Sequence, residues 1–100
     1  MGVSFKGNEY TTGAGRVTLT TAVAASAKFY FSHAVIRAGA GNAGDINIGG
    51  STVAAGAARW GFLDAGESLT IAIEGGFITS DDVYLIATNA GDLVHIIVVS

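Results

Sequence analysis

The sequence predicts an all-β domain: a sandwich or barrel of about seven or eight antiparallel strands with little or no helix. Three observations carry this. Apolar side chains alternate with polar ones at a period of two along several segments. No segment shows an apolar stripe at helical spacing. The breaks between segments are built from glycine with Asn and Asp, for the chain has 15 glycines and no proline.

The elements follow in order. Residues 1–15 read as an arm or lead-in with Val3 and Phe5 as apolar anchors, and residues 16–100 as a single domain. Arg16 to Thr21 sets Val17 and Leu19 against three threonines, a half-buried strand. Ala22 to Ala27 has helical propensity but is too short to nucleate alone, so it reads as a connection. Lys28 to Ala38 is an aromatic and β-branched run, one long strand with a bend. Asp45 to Ile48 alternates again, and Ala54 to Ala58 is a connection. Leu69, Ile71 and Ile73 share one face of the next strand. Val83 to Thr88 and Leu93 to Val99 are apolar on both faces, as in central strands or strands under a neighbouring subunit. The tetrapeptide Asn-Ala-Gly-Asp occurs twice, at 42–45 and 89–92. Asparagine opens such turns and glycine takes positive φ without steric cost, so each copy predicts a hairpin: 34–41 with 45–49, and 82–88 with 93–99. Asp64-Ala65-Gly66-Glu67 is a third turn of related chemistry.

Composition narrows the function. A chain of 100 residues is one domain with one core. It has no cysteine, which removes disulfides and thiolate metal sites. Five cations against eight carboxylates give a net charge of −3, and Lys6, Arg16, Lys28, Arg37 and Arg59 form no stripe. A duplex-binding surface depends on clustered cations, so nucleic acid is not an expected partner. No apolar run reaches the ~20 residues of a membrane span, and Lys6 and Glu9 stand where a signal peptide would be apolar. A protein made and used without export is expected. Charged residues are 13%, against about a quarter in most soluble domains, while half the chain is hydrophobic. Part of the excess is alanine; the rest predicts a surface covered by other subunits.

The chemistry-bearing motifs are weak. Gly39-Ala40-Gly41-Asn42-Ala43-Gly44 spells the dinucleotide fingerprint, with Asp64 about 20 residues beyond. That fingerprint needs a helix opening at the glycines to hold the pyrophosphate, and Asp45 to Ile48 alternates as a strand, so no cofactor is expected. His33 and His95 are a poor metal set without cysteine, and no metal site is expected. Ser32, His95 and Asp92 make a triad on paper but lack a nucleophile elbow, and no catalytic residue is assigned. Asp81-Asp82 reads as a solvated turn, since no loop of alternating acids accompanies it. Trp60 and Phe62 lie two apart and share a face in an extended segment. They either plug one end of the core, anchor a contact, or offer a sugar-stacking platform. Phe29, Tyr30 and Phe31 are consecutive, and a strand buries all three only if both its faces are covered.

From residue 34 onward the chain resembles a family of small tailed-bacteriophage virion proteins. The shared features are Ala34-Val35-Ile36-Arg37-Ala38, then Asn42 to Ser51 with its N-x-G-x-I-x-I-G pattern, then Leu63 to Leu69, then Asp82-Val83-Tyr84-Leu85-Ile86-Ala87 and a final apolar strand. Members often carry proline before the glycine of the Leu63–Leu69 turn, where this chain has Ala65. The resemblance implies a jelly-roll or related β-sandwich with no catalytic residues. It places Ala34, Ile36 and Ala38 inward, and that parity sends Phe29, Phe31 and His33 outward unless a bulge intervenes. It implies a capsid decoration or cement protein on the virion surface, assembled in the bacterial host cytoplasm. The implied partner is the major capsid protein, and a homotrimer is the favoured assembly.

The expectation is therefore a non-enzymatic structural protein that bridges capsid subunits. Val3, Phe5 and Tyr10 of the arm, with Phe29, Phe31, Trp60 and Phe62, are the expected interface residues. The alternative is a carbohydrate-binding sandwich on a phage tail or fibre, with Trp60 or Tyr84 as its stacking face. A cupin-type enzyme shares the architecture but needs more inward histidines and carboxylates than this chain has.

Overall fold

A computed structural model describes residues 5–99, the first two of them by backbone alone. The strands are β1 (Phe5–Thr11), β2 (Val17–Thr18), β3 (Tyr30–Phe31), β4 (His33–Ala38), β5 (Ile46–Ala54), β6 (Ala57–Leu63), β7 (Ser68–Ala72), β8 (Ile78–Thr79), β9 (Tyr84–Ala87) and β10 (Leu93–Val99). One short helix, α1 (Leu19–Ala22), follows β2, and a 3-10 turn spans Ser80–Asp82. The fold is all-β and every pairing is antiparallel.

Two four-stranded sheets, β1-β10-β4-β7 and β2-β9-β5-β6, face each other, and β3-β8 forms a separate ribbon. The pairs nest: β1 with β10, β2 with β9, β3 with β8, β4 with β7, and β5 with β6. The chain is one long two-stranded ribbon, turned back at the β5–β6 hairpin and rolled up. Rolling adds the pairings of β10 with β4 and β5 with β9, which complete the sheets.

Alternation builds the core. Along β4, Ala34, Ile36 and Ala38 are buried while His33, Val35 and Arg37 face out, the parity that the resemblance implies. Along β10 the buried set is Val94, Ile96 and Val98. Ile46 and Ile48 of β5, Leu63 of β6, and Leu85 and Ala87 of β9 meet them from the opposite sheet. Leu69 and Ile71 of β7 pack against this core, but Ile73 lies beyond the strand and is exposed.

Four expectations need correction. Residues 5–11, read as part of an arm or lead-in, are β1, an edge strand of the domain itself, paired over seven positions from Phe5↔Val99 to Thr11↔Leu93. Its half-buried Tyr10 packs on the core. The strand expected over 16–21 stops after Thr18. The Thr18 hydroxyl caps α1 by accepting from the Thr21 N–H, and the helical turn buries Leu19, Ala22 and Val23 together. The strand expected over 28–38 breaks at Ser32, whose N–H donates to Val99 O and whose carbonyl accepts from Ile73 N–H. That break resets the alternation, so Phe31 is fully buried instead of outward. Phe29 is half-buried beside it, with ring centroids 6.1 Å apart, and Tyr30 is the exposed aromatic of the three.

The fourth correction concerns the repeated tetrapeptide. Neither copy closes a hairpin, because β4 and β5 belong to different sheets, as do β9 and β10. Each copy carries the chain across the sandwich edge, and the two turns brace each other. Asn42 bridges Leu93 as a strand would, donating from Nδ2 to Leu93 O and accepting its N–H at Oδ1, both at 2.8 Å. Asp92 accepts the N–H groups of Ala43 (3.0 Å) and Gly44 (2.9 Å). The third turn behaves as its residues suggest: Gly66 has φ +82, and Glu67 Oε1 accepts the Asp64 N–H at 2.7 Å.

Candidate interaction surface

Of the aromatic candidates, Trp60 and Phe62 lie on β6, in the β2-β9-β5-β6 sheet, and both are exposed. β6 was not foreseen as a strand, although its extended aromatics were. Asn47 of β5 stands opposite Phe62 of β6 on one side and Ile86 of β9 on the other. The ladder between β5 and β6 slips between Ile48 and Gly49, where Gly49 meets Arg59 and Trp60 is left as the extra residue. Only glycine fits at 49: a Cβ there would lie 2.9 Å from Ala58 O and 3.0 Å from Val53.

The face is held by a polar hub. Asn47 is completely buried, and all its hydrogen-bonding capacity is used. Its Nδ2 donates to Ile86 O (3.0 Å) and Thr88 Oγ1 (3.2 Å). Its Oδ1 accepts from Gly56 N (3.3 Å) and from Arg59 NH1 (2.9 Å). The Arg59 guanidinium lies 4.0 Å from the centroid of the Phe62 ring and 3.9 Å from Asp45 Oδ2. Arg59 therefore fixes the inner side of Phe62 by cation–π contact while leaving it 47% exposed. Trp60 is 63% exposed. Both side chains point away from the core, so neither plugs its end. Asn47 and Arg59 gave no sequence signal of this role beyond a polar residue between two isoleucines.

Nearby, the carboxyl of Asp64 is held above its ordinary value, first by a hydrogen bond to the Asp45 carboxyl, then by that group's charge, by desolvation, and by Glu67. A raised folded-state value means protonation favours the fold. The contribution is complete below the unfolded value and is lost as pH rises through the folded one. Asp64→Asn is expected to lose this pH dependence. Its melting temperature should exceed that of the wild type at pH 7, with the gap closing in acid. Equal gaps at both pH values would assign the effect elsewhere.

The other candidates separate. Val3 lies outside the described residues, and Phe5 is known only through its backbone pairing with Val99. Tyr10, Phe29 and Phe31 belong to the core or pack against it. Ser32, His95 and Asp92 do not assemble: Ser32 lies against Val99 and His33, the His95 ring 3.5 Å from Glu9, and Asp92 holds the turn amides. Residues 39–44 lead into β5, where a dinucleotide fingerprint would open a helix. Asp81 accepts from the Thr20 hydroxyl, which ties α1 to the 3-10 turn. Among the described residues, no three His, Asp or Glu side chains converge on a point that would hold a metal ion.

The opposite outer face, on β1-β10-β4-β7, was not singled out by its sequence. It carries exposed Val35 and Ile97 beside a shallow hollow of about 400 Å³ lined by Val35, Arg37, Ala38, Ala40, His95 and Ile97. No helix among the described residues is long and apolar enough to cross a membrane.

The chain matches no family model, no curated protein and no solved structure.

Proposed function

We propose that this chain is a structural bacteriophage virion protein, a capsid decoration protein that stabilises the shell by bridging major capsid subunits without catalysis. The observation that carries the reading is the two exposed aromatics of β6, Trp60 and Phe62, the second braced by Arg59. Exposed Trp and Phe beside Arg are the residue types that dominate interface energetics. Holding Phe62 against Arg59 before contact lowers the ordering cost of binding. The virion setting rests on the order of motifs between Ala34 and Val99. The nested pairing of β1 with β10, β2 with β9, β4 with β7 and β5 with β6 favours the jelly-roll form of sandwich that the resemblance implies. Several copies bound to one shell would turn weak single contacts into stable attachment.

The test is co-sedimentation with emptied, expanded capsid shells of the encoding phage. The wild type is expected in the pellet. Trp60→Ala is expected to weaken binding by about thirtyfold with the fold intact, the loss typical of an interface hot spot. Wild-type protein left in the supernatant would overturn the reading.

The exposure of Trp60 next to the polar Arg59–Asp45 pair supports a second reading, a sugar-stacking face on a tail or fibre. Glycan-array binding that Trp60→Ala abolishes would establish it in place of the first.

A further inference from the structure

We propose that the outer face of the β1-β10-β4-β7 sheet pairs with the same face of a second copy of this chain, about a twofold axis lying along β10. This goes beyond the decoration reading and does not depend on it. It uses the face opposite Trp60 and Phe62, which stay free for another partner.

The register supplies the argument. Glu9, His95 and Arg37 lie abreast, one on each of β1, β10 and β4. Two residues along, on the same face, Gly7, Ile97 and Val35 lie abreast. Charge thus runs from negative to positive across one row, and size runs from glycine to a branched side chain across the next. A twofold axis parallel to the strands keeps each row at its height and reverses its direction. Glu9 then meets the partner's Arg37, and Val35 meets the partner's Gly7. Ile97 packs on the partner's Ile97. Both complementarities arise from one operation and occur twice in the pair.

The unpaired groups fit this arrangement. Arg37 makes no ion pair or side-chain hydrogen bond among the described residues, although it stands beside apolar Val35 and Ile97. The hollow it lines contains no carboxylate and has the volume to admit the partner's Glu9 side chain. Ile97 is 52% exposed in the middle of a strand whose other face is core. With Gly7 as its neighbour on β1, its edge is uncovered. Shifting the axis to lie between β10 and β4 would set His95 against the partner's Arg37 and Glu9 against Ser68, which gives no ion pair. Charge complementarity therefore selects both the occupant, a second copy, and the axis.

One face of a four-stranded sheet is at the small end of specific interfaces, so the pair is expected to form in the micromolar range. Sedimentation equilibrium from low micromolar to near-millimolar concentration should show the mass rising from 10.0 kDa towards twice that value. Arg37→Glu and Glu9→Arg should each weaken self-association by at least about tenfold, because each sets like charges face to face twice. An equimolar mixture of the two variants should recover it as a heterodimer, and the double variant should recover it alone. Circular dichroism of each variant establishes that it is folded. A constant 10.0 kDa, a mass of three chains, single variants that associate like the wild type, or folded variants whose mixture fails to recover would each overturn the proposal.

Discussion

Asp92→Ala is expected to destabilise the fold by about 2–4 kcal/mol. Asp92 is 9% exposed, and its carboxylate accepts two backbone N–H groups from the other turn, those of Ala43 and Gly44. Its own carbonyl accepts the N–H and the hydroxyl of Thr12, each at 2.9 Å. One residue thus joins the β4–β5 crossing, the β9–β10 crossing and the end of β1. Removing the carboxylate leaves two amides without partners in a part-buried corner, and each charge-assisted bond is worth more than a neutral one. Asp92→Asn keeps one acceptor oxygen and turns an NH₂ towards the second amide, so about half the loss should remain.

Asp45 is the internal control, because it holds the same place in the other copy of the tetrapeptide. Its side chain is 36% exposed and makes an ion pair at 3.9 Å, an interaction worth under about 1 kcal/mol. What Asp45 gives the corner is its backbone carbonyl, which accepts Thr88 N–H at 2.9 Å and survives mutation. Asp45→Ala is therefore expected to cost far less than Asp92→Ala. Urea titration, read as midpoints at constant slope, compares the two. Equal losses would mean that each aspartate serves only its own turn.

The same corner shows how much of the fold was legible. Local chemistry marks a turn at each Asn-Ala-Gly-Asp. The second copy closes one, Asp92 N–H donating to Asn89 O at 3.3 Å, while the first is a bend whose hydrogen-bonded turn comes just before it, from Asn42 N–H to Gly39 O. Which strands a turn joins depends on partners far along the chain. Asn42 and Leu93 are 51 residues apart, and no local pattern records their bond. The identical copies do not even share a backbone: Gly91 has φ +96, while Gly44 is not in the left-handed region. The parity implied by the resemblance was more informative. It holds along β4, with Ala34, Ile36 and Ala38 inward, because a strand's parity is local. It failed at Phe31, where two long-range bonds of Ser32 interrupt the strand. The low charge content predicted exposed apolar surface, and Trp60, Phe62, Phe77 and Ile97 provide it. The residues that organise the Trp60 face were invisible, because Asn47 and Arg59 acquire their roles only when β5, β6 and β9 meet.

Deletion of residues 1–12 is expected to be more damaging still. As a free arm, residues 1–15 would be dispensable for folding, and their removal would cost only partner binding. As β1, they cover one whole edge of β10 through pairings at every position from 5 to 11. Deletion would leave the backbone of β10 unpaired along that edge and strip Tyr10 from the core margin. It would also remove Asn8, whose Nδ2 donates to Ala22 O at 2.7 Å and anchors α1. Thr12, bonded to Asp92, goes with them. A chain of 100 residues has net stability of about 5–15 kcal/mol, and losing one strand of an eight-stranded sandwich consumes most of it. The bared edge is moreover long and apolar, which is the form that recruits other chains. The truncated protein is therefore expected to be insoluble or to lack a cooperative melting transition. The milder Asn8→Ala should lower stability by about 1–2 kcal/mol, with the fold retained. A truncation that melts cooperatively near the wild-type temperature would show that the remaining strands close the sandwich alone, and β1 would then be an accessory to a complete fold.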